Sequence, residues 1–498
     1  MSPVLAVLVV LSLSACVRPP VHDGPIVLIT FESLRADAVG ALGGPQGLMP
    51  HLDEVARQAD WVGRGIAPSS GGVASLGTLL TGLRPWQHQA IHEGRPVLSP
   101  DLQTLAEALR EQGYTTAGYP GDPWGQESYG TSQGFDAFVK LGRGRRALDR
   151  LSNLGSGRHF VWVHLPEPGA PYLRYDQYLA RLGPGAPDLP RRLQEAQLEP
   201  FFNPATPLPP GLRRRFLAMY RLNAAWGDER LGQFLSALRA SGQWDRTLLV
   251  VTSLHGEEFG EHGQILHGGN LGRACLEVPL IIKLPEGSPL HLRPPAVQRV
   301  ATARLWATLV EAVGGEPLPA TAPSLFRDAP PQAVSELYLT NGTNRFSLVE
   351  GDLQLLQESR FAAPAPDFFQ ARQAALPRTP GPKQARKLEA PPSAVFARLA
   401  GAFDRIPPFS GDGGAGAQSW RLERWLPGGG TERMEDPRKT AELARRLAAD
   451  WHRFVPDERS PEDESSETSV AEIRHRGRGR KRPGQTHPAS GHDPARAR

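Results

Sequence analysis

The spacing of apolar positions divides this chain into two textures. Residues 25–31 (PIVLITF) form a continuous apolar, β-branched run, the pattern of a parallel strand covered on both faces. Comparable runs at 115–119, 159–165 (HFVWVHL), 247–253 (TLLVVTS) and 278–284 (VPLIIKL) predict further strands. Between them, 50–60 (PHLDEVARQAD) and 101–113 (DLQTLAEALREQG) place apolar residues three and four apart, as surface helices do. A longer helical pattern covers 210–241. Strands alternating with helices predict a doubly wound α/β layer structure. From about residue 320 the period shortens to two: QAVSELYLT, RFSLVEGDLQLLQ and WRLERWLPGG alternate apolar with polar residues. They predict a smaller antiparallel sheet, interrupted by a Pro/Ala-rich insertion near 362–395 and closed by a helix over PRKTAELARRLAADWHRF.

The two ends carry a different signal. The first sixteen residues, MSPVLAVLVVLSLSAC, hold an apolar run of about a dozen residues, short for a bilayer span and suited to a signal peptide. It ends in Leu13-Ser14-Ala15-Cys16, which resembles a bacterial lipobox, so residues 1–16 are read as a lipoprotein signal and Cys16 as the lipidated residue. No Lys or Arg precedes the run, which departs from that pattern. An exported lipoprotein of the cell envelope is expected, held to a membrane by its N-terminal lipid. Val17, rather than Asp, follows the cysteine and points to the periplasmic face of the outer membrane. Residues 456–498 are acidic and serine-rich, then arginine-rich, with almost nothing apolar; a disordered tail is expected there. Its basic part is a possible polyanion contact.

Composition adds limits. The chain has 498 residues, enough for a large core, and its formal net charge of +4 does not mark it as a nucleic-acid binder. Only Cys275 accompanies Cys16, so a lipidated chain forms no internal disulfide, and Cys275 reads as a small buried apolar residue. An α/β domain over 25–320 and a smaller subdomain over 321–455 are expected.

Several motifs occur in a fixed order: IVLITFESLRAD (26–37), APSSGGVASLGTLLTGLRP (67–85), TLAEALREQGYTTAGY (104–119), VHLPEPGAPY (163–172) and TLLVVTSLHGEEFGEHG (247–263). Jointly they resemble the sulfatase family of the alkaline-phosphatase superfamily. The resemblance spans about residues 25 to 455 and implies an alkaline-phosphatase-like fold: a mixed sheet sandwiched by helices, with a smaller C-terminal antiparallel sheet plus helix. It also implies a hydroxyl nucleophile, activated by a divalent cation that neutralises the ester oxygens.

Aligned on those motifs, this chain lacks much of that machinery. The nucleophile position falls on Gly72, which has no side chain; Ser70, two residues earlier, is the weak substitute, with Ser69 beside it. The Arg four positions after the nucleophile falls on Leu76. Ser75 and Thr78 read as capping or packing residues. The paired acids after the first strand fall on Glu32 and Ser33, and the third acid on Leu254. His255 keeps its place. Glu32 reads equally as a metal ligand or as a buried acid paired with a base such as Arg35. The substrate-holding histidine of the DPHxPY motif falls on Gly169, and His164, inside an apolar run, reads as a core histidine. His267 matches a position that contacts the sulfate group. Glu257, Glu261 and His262 match as loop-structuring residues.

One carboxylate and one imidazole are a poor cage for a hard dication, so no cofactor is expected, and calcium or magnesium if a site is retained at Glu32 and His255. No paired-Cys zinc spacing, HExxH, Walker loop or GxSxG motif offers another chemistry. Two readings follow. The first is a degenerate, sulfatase-like envelope lipoprotein that binds a sulfated or phosphorylated glycan or a protein partner. The second is an active sulfuric or phosphoric ester hydrolase with an altered metal-dependent site.

Overall fold

Each long apolar run becomes a strand of one eight-stranded sheet. The computed structural model describes residues 22–91, 98–121, 129–193, 197–201, 206–293, 299–339, 343–360, 418–426 and 431–452. The expected signal peptide with Cys16, the 362–395 insertion and the 456–498 tail lie outside them. The strands are β1 (Ile26–Phe31), β2 (Trp61–Ile66), β3 (Thr115–Tyr119), β4 (Ala137–Phe138), β5 (His159–Leu165), β6 (Leu248–Ser253), β7 (Glu277–Lys283) and β8 (Arg299–Ala301). Their order across the sheet is β8-β2-β7-β6-β1-β5-β3-β4. Only β7 runs antiparallel to its neighbours β2 and β6.

The continuous apolar runs have the burial they require. In β1, Val27, Ile29 and Phe31 join a cluster with residues of the helices Pro50–Gln58, Arg145–Ser152 and Pro210–Ala240. Ile26 and Leu28 point the other way, to a cluster with the helices Gly72–Thr81, Leu105–Glu111 and Arg304–Ala312. The same alternation holds in β5 and β6, so helices cover both faces of the sheet.

The alternating texture after residue 320 forms a second sheet of five antiparallel strands in sequence order: β9 (Gln332–Tyr338), β10 (Thr343–Glu350), β11 (Leu353–Arg360), β12 (Gln418–Trp425) and β13 (Thr431–Met434). The helix Pro437–His452 follows it. Met1–Ala448 forms one compact unit and Ala449–Arg498 another, of which only the last residues of that helix are described. Within the first unit, Ile66 and Val278 of the large sheet, with Leu276 just before β7, share an apolar cluster with Ala333, Val349 and Trp425 of the small one. Beside it, buried Glu277 receives Arg273 at 2.8 Å and Arg299 at 2.9 Å, with Arg64 at 3.5 Å. The guanidiniums of Arg273 and Arg299 each lie 5.4 Å from the Trp425 ring centre. Arg299 also donates to Gly351 O at 3.1 Å. Among the described residues, no helix is long and apolar enough to cross a membrane.

Removing one member of a buried charge network leaves the others uncompensated. Glu277→Gln is therefore expected to destabilise the protein by about 3–5 kcal/mol, read as a lower denaturant midpoint in chemical unfolding.

Candidate functional site

The candidate site lies just beyond the carboxyl ends of β5, β1 and β6, where open α/β sheets place their ligands. Backbone bonds bring the three strand ends together. Glu32 N donates to Leu165 O at 2.9 Å, Leu254 N to Phe31 O at 2.9 Å, and His255 N to Glu32 O at 3.3 Å. Ser253 Oγ accepts from Leu34 N at 2.8 Å and lies 2.8 Å from His255 O.

Glu32, 7% exposed, is the buried acid of this junction. Its Oε2 lies 2.8 Å from His164 Nε2, while Oε1 lies 3.4 Å from His255 Nε2. The second contact is close enough for attraction but misaligned for a hydrogen bond, so His255 Nε2 keeps no such bond. His164 Nδ1 pairs with Thr30 Oγ1 at 2.9 Å, and Thr30 Oγ1 accepts from Trp162 Nε1 at 3.0 Å. Burial alone would raise the Glu32 pKa, but the hydrogen bond with His164 and the charges of His164 and His255 hold the carboxyl well below the usual range. The expected partnership of Glu32 with Arg35 is corrected: Arg35 turns away to Asp37 at 2.6 Å, Glu261 at 2.8 Å and Glu257 O at 2.9 Å. The chain bends after β1, and the loop following β6 supplies carboxylate and carbonyl acceptors for Arg35 that leave Glu32 to the imidazoles.

His267 belongs to the same place. Its ring centre lies 4.2 Å from that of His255, and its Nδ1 lies 2.9 Å from Glu257 Oε1. Glu257 in turn accepts from the Tyr172 hydroxyl at 2.6 Å. Gly268 N donates to Ser70 O at 3.1 Å, which brings the His267 turn against the segment before the helix Gly72–Thr81. Gly72 is the first residue of that helix and is buried. Ser70 is fully buried and its Oγ has no hydrogen-bond partner; the same holds for Ser33. Ser75 Oγ donates to Ser69 O at 2.9 Å, and Thr78 Oγ1 lies 3.2 Å from His88 Nε2, so both serve local packing.

Five other positions from the motifs have defined surroundings. Leu254 is 2% and Leu76 1% exposed, and both belong to the apolar cluster on one face of the sheet. Gly169 faces Glu32: a Cβ there would stand 3.3 Å from Glu32 Cγ and 3.5 Å from Ser33 Oγ. Glu261 holds Arg35, and His262 lies 2.6 Å from Glu258 Oε1. Reading the sequence missed Thr30 and Tyr172. Thr30 and His164 are register partners on adjacent strands, and the trace of that in the sequence is a polar residue next to the carboxyl end of each apolar run.

These donors do not fit a hard dication. Among the described residues, Glu32 is already engaged by two imidazoles, the nearby Glu257 carboxylate is taken by His267 and Tyr172, and Leu254 offers an apolar wall. Among the described residues, no group of three His, Cys, Asp or Glu side chains has the arrangement of a metal cage. A separate cleft of about 210 Å³, lined by residues such as His22, Asp23, Arg246 and Glu286, shares none of these groups.

The mixed sheet, the covering helices and the appended antiparallel sheet define an alkaline-phosphatase-like fold. The chain belongs to the sulfatase family, whose model matches residues 25–155 and 144–314. It is similar in fold to a putative sulfatase from Bacteroides thetaiotaomicron VPI-5482 (17% identity, TM-score 0.54), covering 71% of this chain and 91% of that one. It is likewise similar to a phosphonate monoester hydrolase from Silicibacter pomeroyi (19% identity, TM-score 0.51, 71% and 94% covered). Over 58 residues it is 40% identical to the multifunctional alkaline phosphatase superfamily protein PehA of Trinickia caryophylli, a stretch that is 11% of each chain.

Two outcomes follow from this geometry. The folded Glu32 carboxyl is more acidic than its ordinary value of 4.5. Its stabilisation is present above that pH and is lost as pH falls through the lower, folded value. Acid unfolding followed by circular dichroism is therefore expected to be shallower below about pH 4.5 in Glu32→Gln than in the wild type. Leu254→Asp buries a charge in an apolar cluster and is expected to cost several kcal/mol, seen as a lower Tm whether or not calcium or magnesium is added.

Proposed function

We propose that this chain is a degenerate sulfatase that works by binding a sulfated or phosphorylated ligand, a glycan or a protein partner, and not by metal-dependent ester hydrolysis. The observation that carries the reading is the double engagement of Glu32 by His164 and His255, beside a Leu254 that lies in the core. The nucleophile position is Gly72, so the family's covalent step has no attacking group there. What remains suits an oxyanion. Ser33 and Ser70 bring hydroxyls without partners, His255 brings an imidazole, and Ser70 immediately precedes the first turn of the helix Gly72–Thr81. Export and a lipid anchor at Cys16 complete the proposal and place the binding in the cell envelope.

A second reading keeps catalysis. The Ser70 hydroxyl lies in a segment whose backbone is bonded to the His267 turn, and His267 pairs with Glu257; that segment would have to shift to bring the hydroxyl onto the ring. Elemental analysis and turnover separate the two. The full chain is expected to purify with substoichiometric calcium, magnesium, manganese and zinc. It is also expected to leave aryl sulfate and aryl phosphate esters at the buffer rate, while binding a sulfated oligosaccharide that His267→Ala weakens. Stoichiometric metal that disappears in Glu32→Gln or His255→Ala would overturn the binding reading. Turnover abolished by Ser70→Ala would establish the second one.

A further inference from the structure

The loop from Leu254 to Leu276 carries His255, Glu257 and His267, and its outer side rests against the small C-terminal sheet. Gln354 Nε2 donates to Leu271 O at 2.6 Å, and Arg273 donates to Leu426 O. The third tie is His262. Its Nδ1 lies 2.6 Å from Glu258 Oε1 within the loop. Its Nε2 faces the small sheet, 3.4 Å from Thr431 Oγ1 and 3.8 Å from Glu423 Oε2. Glu258 is fully buried and the Glu423 side chain is 6% exposed. The ring is wedged by Gly272, where a Cβ would come within 2.5 Å of His262 Nδ1 and 2.7 Å of Glu258 Oε1.

One imidazole between two buried carboxylates has an electrostatic requirement. With its proton on Nδ1, a neutral ring can accept only the long 3.4 Å bond from Thr431 Oγ1 and turns its lone pair toward Glu423, whose Oε2 has no hydrogen-bond partner among the described residues. A protonated ring presents N–H to both sides. The charged and titratable groups around it, among the described residues, are Glu258 on the loop and Glu423 with Arg421 on β12. Arg421 Nε binds Glu423 Oε1 at 2.7 Å and leaves Oε2 to the histidine. Cys275 lies in range of Glu258 and stays a neutral thiol because burial pushes its pKa up. Burial alone would lower the His262 pKa, but Glu258 and Glu423 raise it above the ordinary 6.5.

We propose that His262 is a proton-operated latch: as an imidazolium it ties the C-terminal sheet to the loop bearing His255, Glu257 and His267, and its deprotonation lets that loop open. The latch governs access to the site whatever ligand enters, so it does not depend on the binding reading above. The sign follows from the raised pKa. The tie is fully present below about pH 6.5, the unfolded value, and is lost as pH rises through the higher folded value.

Hydrogen exchange of the full-length protein near pH 6 and near pH 9, corrected for the intrinsic pH dependence of exchange, tests this directly. Peptides covering 257–276 are expected to lose protection about tenfold at the higher pH, the usual scale of coupling between two elements, while peptides of β1 stay unchanged. In His262→Gln those loop peptides should exchange at the faster rate at both pH values. Glu423→Gln, which keeps the ring and removes its second carboxylate, should shrink the pH effect and serves if His262→Gln does not fold. Wild-type loop protection that is equal at the two pH values, or a pH effect that persists undiminished in the variants, would overturn the proposal. A failure to bind sulfated ligands would leave the exchange result untouched, so the two ideas fail separately.

Discussion

A single carboxylate at the end of the central strand governs how its neighbours are arranged. Glu32 leaves β1 into the interior, where an unpaired charge costs several kcal/mol or forces neutralisation. Its compensation comes from both flanking strands: His164 ends β5 and His255 follows β6. The interaction therefore fixes more than one side chain. It adds a side-chain tie to the backbone bonds that join the three strand ends, and His255 stands with its ring against His267. His267 in turn pairs with Glu257, and Glu257 accepts from Tyr172.

The long parallel strands were legible because each is buried on both faces, which forces a continuous apolar run. β1, β3, β5 and β6 lie within a residue of the expected segments. β2, WVGRGI, gave no such run: Gly63, Arg64 and Gly65 break it, and Arg64 leaves the strand to donate to Leu42 O. The run that forms β7 was visible, but its antiparallel direction was not, since an apolar strand reads the same either way. In the site, what was local in sequence was readable and what depended on register was not. His164 looked like a core histidine, and it is fully buried; only the pairing of Thr30 with His164 across two strands reveals that it also meets Glu32. Arg35, three residues from Glu32, was the nearest base in sequence and turns elsewhere.

The small sheet contributes to the site from a distance. The loop from Leu254 to Leu276 is held from within by Arg35 and from outside by Gln354 and by the group around Glu277 and Trp425. Long loops generally move more than the strands they connect. Clamping this one on two sides keeps its histidines in fixed positions and makes its mobility depend on contacts far from Glu32.

Two pairs of departures from the family pattern bear on the packing of the interior. Leu76 and Leu254 stand where the resemblance expects an Arg and an Asp, and both enter one apolar cluster. A charge at either position would stand in that apolar cluster, where it costs several kcal/mol unless it is paired. The second pair is Glu32 and Gly169. Glutamate is one methylene longer than the expected aspartate, and the position opposite has lost its side chain altogether. A Cβ at 169 would stand 2.9 Å from the backbone oxygen of Pro166 and 3.3 Å from Glu32 Cγ, so the local backbone itself calls for the glycine, which also leaves room beside the longer acid.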